Sequence, residues 1–125
     1  MLKIIIVGAG GFAGAVLRYL TTLFVTYFFP NPLIPLGTLA VNITGSFLMG
    51  AASGYMIFHS VLPENLRYLL ITGFLGAFTT YSTFSLESFF LFKENNLSVM
   101  ILYIFLHLFL GIGAVVSGYY LMRAF

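Results

Sequence analysis

Four long apolar stretches follow one another along this chain, with only short polar segments between them. They run over residues 4–28, 33–58, 68–92 and 97–122. A helix needs about 20 mostly apolar residues to cross a bilayer, so each stretch is long enough to span a membrane. The pattern predicts an all-α integral membrane protein, with a single transmembrane domain over residues 1–125.

Composition supports the same interpretation and excludes several classes of function. The 125 residues are 61% hydrophobic and 6% charged, whereas a soluble domain carries about 25% charged residues. We therefore expect a multi-pass protein of the cell membrane whose solvent is lipid. Five Lys and Arg residues are too few for a nucleic-acid surface, and the absence of cysteine excludes disulfides and thiolate metal sites.

A glycine-rich segment near the N-terminus, Gly8–Ala13, imitates a dinucleotide-binding motif. That motif requires an acidic residue about 20 positions later, and the first acid in this chain is Glu64, so we reject the interpretation. Glycines four residues apart serve instead to bring two transmembrane helices close together. The chain has two such pairs, Gly10 with Gly14 and Gly50 with Gly54.

Polar side chains within spans are costly and are therefore candidates for function. Arg18 lies deep in the first span, where it either reaches toward an interface or places a fixed positive charge in a water-filled vestibule. Asn42 lies near the middle of the second span, where its amide either bonds another helix or donates to a ligand. His107 in the fourth span has no second histidine beside it, so we expect a packed residue rather than a metal ligand.

The third span is unusually rich in hydroxyls. Residues 72–85 include seven hydroxyl side chains and two glycines. Such residues can satisfy backbone groups that a broken transmembrane helix leaves free. We predict a break near the centre of this helix, where exposed carbonyls can hold a small cation.

The residues after this predicted break suit a small, hard anion. Tyr81 and Phe84 share one helical face, with Ser82 nearby, and the edges of aromatic rings are electropositive. Glu87 follows Thr83 by one turn on the same face, and it is either a hydrogen-bonded carboxylate at the helix end or part of an ion path.

Three motifs resemble those of the Fluc (CrcB) family of fluoride channels, and the resemblance extends over essentially the whole chain. They are residues 10–19, GFAGAVLRY preceded by Gly10; residues 37–45, GTLAVNITG; and residues 73–85, GFLGAFTTYSTFS. The resemblance implies a fluoride-selective, passive channel that exports fluoride to relieve its toxicity. It further implies a dual-topology dimer of two antiparallel subunits with two pores, surrounded by lipid.

The resemblance also assigns roles to individual residues. Backbone carbonyls of Gly76 and Thr79 would hold a structural sodium ion on the dimer axis. The fluoride pathway would consist of Arg18, Asn42, Tyr81, Ser82, Thr83, Phe84 and Glu87. Two features depart from the family pattern: Tyr81 replaces a phenylalanine, and Gly111 and Val115 replace hydroxyl residues of the fourth helix.

Three alternatives remain open at this point. The chain has a small charge bias, with Lys3, Arg67 and Arg123 on one side and Lys93 on the other, which permits insertion in both orientations. It also permits one non-conducting half of a heterodimeric channel, although we favour the homodimer. A small multidrug-type exporter is a further alternative, but its first span would need an acid where this chain has Arg18. No nucleophile, base and orienting group occur together, so we expect no enzyme activity.

Overall fold

The computed structural model describes residues 1–59 and 62–124, and it is helical throughout these ranges apart from short connections. The elements in order are α1 (Leu2–Phe28), α2 (Leu36–Phe58), α3 (Glu64–Arg67), a π-helical segment (Tyr68–Leu75), α4 (Gly76–Phe78), α5 (Tyr81–Lys93) and α6 (Leu97–Leu121). Within the described residues, four helical stretches are long and apolar enough to cross a membrane: α1, α2, residues Glu64–Lys93 and α6.

Two helix boundaries differ by three residues or more from the apolar stretches in the sequence, and proline accounts for both. The second helix begins at Leu36 rather than at residue 33, because Pro35 disfavours helical geometry in the residue before it. The third stretch begins at Glu64, four residues earlier than predicted. Pro63 precedes the helix with a fixed φ of −49°, and the Glu64 carboxylate lies in the first turn, where it complements the helix dipole.

The helices approach one another along rows of glycine. A Cβ atom on Gly14 would overlap the carbonyl of Phe74, and one on Gly50 would overlap the carbonyl of Val115. The predicted role of the paired glycines in close helix packing is therefore confirmed. The first row brings α1 against the π-helical segment and α4, and the second brings α2 against α6.

The apolar side chains mostly face outward. Within the described residues, the buried hydrophobic residues are few: Ile34, Leu39, Val41, Leu75, Phe78 and Tyr103. Large apolar residues such as Phe24 and Phe109 are about two-thirds exposed. This arrangement suits a lipid solvent, in which helices associate by close backbone packing rather than by burying bulky side chains.

The backbone between α4 and α5 is extended. Thr79 has φ −77° and ψ 157°, and Thr80 has φ −149° and ψ 113°. Helical geometry therefore stops after Phe78 and resumes at Tyr81. The candidate site is organised around these two residues.

Contacts at one end of the molecule relate the helix ends to each other. The Lys3 ammonium donates to the Glu64 carboxylate at 2.6 Å, and the His59 ring contacts the carbonyl of Met122. The start of α1, the end of α2, the start of α3 and the end of α6 therefore lie at the same end. This agrees with placing Lys3, Arg67 and Arg123 on one side of the membrane.

Candidate functional site

The side chain of Asn42 holds the extended backbone at Thr80 in place. Its Nδ2 donates to the carbonyl oxygen of Thr80 at 3.1 Å, and its Oδ1 accepts from the amide of Thr80 at 2.8 Å. Both hydrogen-bonding groups of the Thr80 backbone are thus satisfied by one side chain. An amide nitrogen carries two hydrogens, so one hydrogen of Asn42 remains for a further acceptor.

These side-chain contacts leave two nearby carbonyls without their helical donors. In a continuous helix the amide of Thr80 would donate to Gly76 and that of Thr83 to Thr79. Here the amide of Thr80 donates to Asn42, and that of Thr83 donates to the hydroxyl of Thr80 at 3.2 Å. Among residues 1–59 and 62–124, the carbonyls of Gly76 and Thr79 therefore lack these helical donors, and carbonyls of this kind in unwound transmembrane backbone can coordinate cations.

The hydroxyl of Thr80 also caps α5 and orients Thr83. Thr80 Oγ1 accepts from the amide of Thr83, and it donates its proton to Thr83 Oγ1 at 2.8 Å. The proton of Thr83 then remains available to an outside acceptor. This is a chain of hydrogen bonds that ends in a free donor.

One cleft beside Thr80, which we call the aromatic cleft, has a volume of about 360 Å³. Its lining comprises Asn42, Gly45, Ser46, Met49, Thr79, Thr80, Tyr81, Phe84, His107, Leu108 and Val115. The rings of Tyr81 and Phe84 lie 6.0 Å apart at 51°, and Phe84 lies 4.3 Å from the ring of His107. The pairing of Tyr81 with Phe84 on one face follows their spacing in the sequence.

A second cleft, which we call the charged cleft, lies on the other side of Thr80 and has a volume of about 300 Å³. Its lining comprises Ala15, Arg18, Tyr19, Thr22, Thr38, Val41, Thr80, Thr83 and Glu87. Arg18 is half-buried there, and no ion pair joins it to Glu87 or to any other acid among residues 1–59 and 62–124. Its positive charge is therefore not neutralised by a direct partner.

Two residues that the sequence analysis did not select, Thr38 and Tyr103, hold the carboxylate of Glu87. Thr38 Oγ1 donates to Oε1 at 2.8 Å, and Tyr103 Oη donates to Oε2 at 2.7 Å. Tyr103 is completely buried. Their spacing offered a signal, because Thr38 precedes Asn42 by one helical turn and Tyr103 precedes His107 by one turn. The result is a carboxylate fixed by donors from α2 and α6.

The serine hydroxyls of α5 lie in different surroundings, and among them only Ser82 was predicted for the path. Ser82 is exposed and lines neither the aromatic nor the charged cleft. The hydroxyls of Ser85 and Ser88 donate to backbone carbonyls one turn earlier, as hydroxyls in helices often do. The structure thus brings together Arg18, Thr83 and Glu87 in one cleft, and Asn42, Tyr81 and Phe84 in the other.

Comparison of the sequence with known proteins identifies a family and several relatives. A family described as "CrcB-like protein, Camphor Resistance (CrcB)" matches residues 5–119. A protein named "Fluoride-specific ion channel FluC" from Azobacteroides pseudotrichonymphae is 40% identical over 98% of both chains. A protein of the same name from Rhizobium meliloti is 41% identical over 99% of this chain and 98% of its own length. Another from Sulfurimonas denitrificans is 38% identical over 96% of this chain and 92% of its own length.

Proposed function

Because the chain belongs to the family of CrcB-like proteins, we propose that it is a passive, fluoride-selective channel, not an enzyme, and that it releases fluoride across the cell membrane. Three observations support the proposal: four stretches able to span a bilayer, relatives named as fluoride-specific channels, and clefts that expose hydrogen-bond donors within the spans.

The contact between Asn42 and Thr80 is the observation that carries the proposal, because it leaves unused donors on both sides. Asn42 retains one amide hydrogen toward the aromatic cleft, and Thr83 retains its hydroxyl proton in the charged cleft. Fluoride is small and strongly hydrated. It can leave water only where several donors replace its hydration shell at close range.

The proposed path uses charge first and hydrogen bonds afterwards. Arg18 raises the local concentration of anions in the charged cleft, because a cleft with low-dielectric walls focuses its field. Thr83 and Asn42 then donate to the ion, whereas the predicted donor Ser82 precedes Thr83 on α5 and lines neither cleft. Tyr81 and Phe84 present ring edges along the aromatic cleft, where their electropositive rims favour an anion.

Glu87 also lines the charged cleft, although a carboxylate with a free oxygen would repel an anion. Both of its oxygens accept hydrogen bonds from hydroxyls, and these bonds spread and stabilise its charge. We propose that Glu87 fixes the positions of Thr38 and Tyr103 rather than contacting fluoride through a free oxygen.

We propose that the functional unit is a dimer of two copies in opposite orientations, with one pore formed beside each break. Polar groups that line an open cleft cannot face hydrocarbon without cost, so a partner surface must cover them. Thr83 is exposed in the single chain, and Tyr81 is 80% exposed. The small charge bias at the two membrane faces permits both orientations of one chain, which favours a homodimer over a heterodimer.

The free carbonyls of Gly76 and Thr79 support a sodium site in this dimer. Hard cations prefer oxygen ligands, and two carbonyls from a single chain are too few to surround one. A second copy related by a two-fold axis would bring another pair to the same point. We propose that sodium there supplies the positive charge that holds the two breaks together.

Fluoride efflux from liposomes that contain only this purified chain tests the function. We expect rapid release of fluoride, read with an ion-selective electrode, and no release of chloride from the same preparation. Release of neither ion would overturn the homomeric channel. Recovery after addition of a second, oppositely oriented subunit would then identify the chain as half of a heterodimer, and proton-driven uptake of an organic cation would identify an exporter.

A further inference from the structure

His107 is held in one tautomer by its own helix. Its Nδ1 lies 3.1 Å from the carbonyl oxygen of Tyr103. A carbonyl can only accept, so Nδ1 must carry the hydrogen of this bond. In the neutral ring, Nε2 is then an acceptor with a lone pair and no hydrogen.

Nε2, the second ring nitrogen, has no hydrogen-bond donor beside it in the part of the chain that the structure describes. Nε2 of His107 is buried and has no hydrogen-bond partner among the described residues. The ring is wedged between aromatic neighbours, 4.3 Å from Phe84 and 4.4 Å from Tyr103 by ring centroids. A buried polar atom without a partner is costly in a span, so a ligand or a water molecule is needed to complete it.

The surroundings of His107 suit an anion only after the ring has bound a proton. The aromatic cleft combines the ring with Asn42, Ser46 and the edges of Tyr81 and Phe84. The hydroxyl of Ser46 makes no hydrogen bond to any described residue, whereas the hydroxyls of Ser85 and Ser88 each donate to a backbone carbonyl. The cleft therefore offers donors to an anion everywhere except at Nε2, where a lone pair would repel it.

We propose that His107 is a fluoride ligand in its protonated form, so that fluoride occupies the aromatic cleft together with a proton on Nε2. This inference rests on the proposed channel function and adds a pH dependence to it. The N–H bond at Nε2 is the bond that forms; hydronium from the bulk solvent gives up the proton and becomes water. The imidazolium then donates to fluoride and supplies its counter-charge.

The other titratable groups near His107 are Tyr103 on its own helix and Glu87 and Tyr81 on α5. Glu87 on α5 accepts a hydrogen bond from Tyr103, whose ring contacts His107. Tyr81 of α5 lines the same cleft. The cleft residues from α2, which packs against α6, are all uncharged. Lower pH thus adds a donor and a positive charge, so fluoride occupancy rises as pH falls.

The first test compares fluoride efflux from liposomes at about pH 5.5 and about pH 7.5 for the wild type and for His107→Gln. The efflux from protein-free liposomes is subtracted at each pH, because hydrogen fluoride crosses bilayers unaided. The glutamine amide can donate at either pH. We expect the wild-type rate to rise about threefold to tenfold at the lower pH and the variant rate to change by less than about 1.5-fold.

The second test does not require conduction or a folded variant at position 107. In protein with isotope-labelled histidine and the substitution His59→Gln, His107 gives the remaining histidine NMR signal. Binding linkage is reciprocal, so sodium fluoride should raise the pH at which half of His107 is protonated by about 0.5 unit or more, relative to sodium chloride.

The outcomes separate the two proposals. A wild-type channel that conducts with the same pH profile as His107→Gln overturns this inference and leaves the channel function intact. No fluoride flux at any pH overturns the channel function, and the NMR titration then decides the inference alone. An identical titration in fluoride and chloride would reject His107 as a fluoride ligand.

Discussion

The two clefts that share Thr80 differ in how far their polar groups are already satisfied. In the charged cleft, Glu87 accepts from Thr38 and from Tyr103, and Thr83 is oriented by Thr80. In the aromatic cleft, the groups without a complete set of partners are one hydrogen of Asn42, the hydroxyl of Ser46 and Nε2 of His107.

The two clefts therefore contribute differently to one path. A satisfied network is rigid and costly to disturb, so the charged cleft fixes geometry and sets the local field. Groups without partners in a span are costly unless a ligand or water completes them, so the aromatic cleft completes the replacement of the hydration shell that Thr83 begins in the charged cleft. Asn42 joins the clefts by holding Thr80, the residue common to both.

The largest expected effect comes from removing this junction. Asn42→Ala leaves the amide and the carbonyl of Thr80 unpaired within the membrane, at a cost of about 2–5 kcal/mol. We expect fluoride efflux to fall by about a hundredfold or more, because both clefts and the free carbonyls depend on the extended backbone. The matched control is Asn31→Ala in the exposed connection before α2. Normal efflux in Asn42→Ala would contradict a shared junction.

A change in the charged cleft alone should be milder and should depend on salt. Arg18→Gln removes a positive charge that no acid among the described residues neutralises. We expect efflux at low ionic strength to fall by about tenfold, and the difference from wild type to shrink as salt screens the field. Arg67→Gln is the control, since Arg67 is exposed at the start of the third helix stretch. A loss that is independent of salt would argue against a purely electrostatic role.

Loosening the network around Glu87 tests whether the charged cleft owes its geometry to satisfied hydrogen bonds. Tyr103→Phe removes the donor to Oε2 while keeping the buried ring. We expect the free energy of unfolding in mixed micelles to fall by about 1–1.5 kcal/mol, and efflux to fall by less than about fivefold. Tyr120→Phe, at an exposed position of the same helix, should change neither quantity. An unchanged stability in Tyr103→Phe would show that Glu87 finds another donor.

Local pattern was sufficient to predict the membrane spans and the close helix packing. Hydropathy over windows of about 20 residues gave the four spans, and Gly14 and Gly50 were recognisable from their spacing. Both signals are carried by residues near one another in the sequence, and the lipid solvent makes them strong. The candidate residues Arg18, Asn42 and Glu87 stood out for the same reason, as polar groups that a span does not tolerate without use.

Contacts between distant segments could not be predicted in the same way. The bonds of Glu87 to Thr38 and Tyr103 join residues 49 and 16 positions apart, and they depend on how α2, α5 and α6 are rotated. The π-helical geometry of Tyr68–Leu75 likewise could not be predicted, because this segment is apolar almost throughout and no spacing of polar residues distinguishes the hydrogen bonding of a π-helix from that of an α-helix. Tertiary packing decides between such alternatives, and periodicity does not report it.

The smallest expected effect concerns the hydroxyl of Tyr81, at the exposed edge of the aromatic cleft. Tyr81 is 80% exposed in the single chain, and its hydroxyl makes no hydrogen bond among the described residues. The ring centroids of Tyr81 and Phe84 lie 6.0 Å apart. In the proposed path, the electropositive edge of the Tyr81 ring contacts the anion. Tyr81→Phe keeps the ring edge, so we expect fluoride efflux to stay within about twofold of wild type. Tyr27→Phe is a control of equal exposure, at 81%. A rise in efflux of tenfold or more would mean that the hydroxyl narrows the path. A fall of tenfold or more would mean that the hydroxyl is one of the donors to fluoride. Either result would show that the hydroxyl, and not the ring alone, acts on the ion.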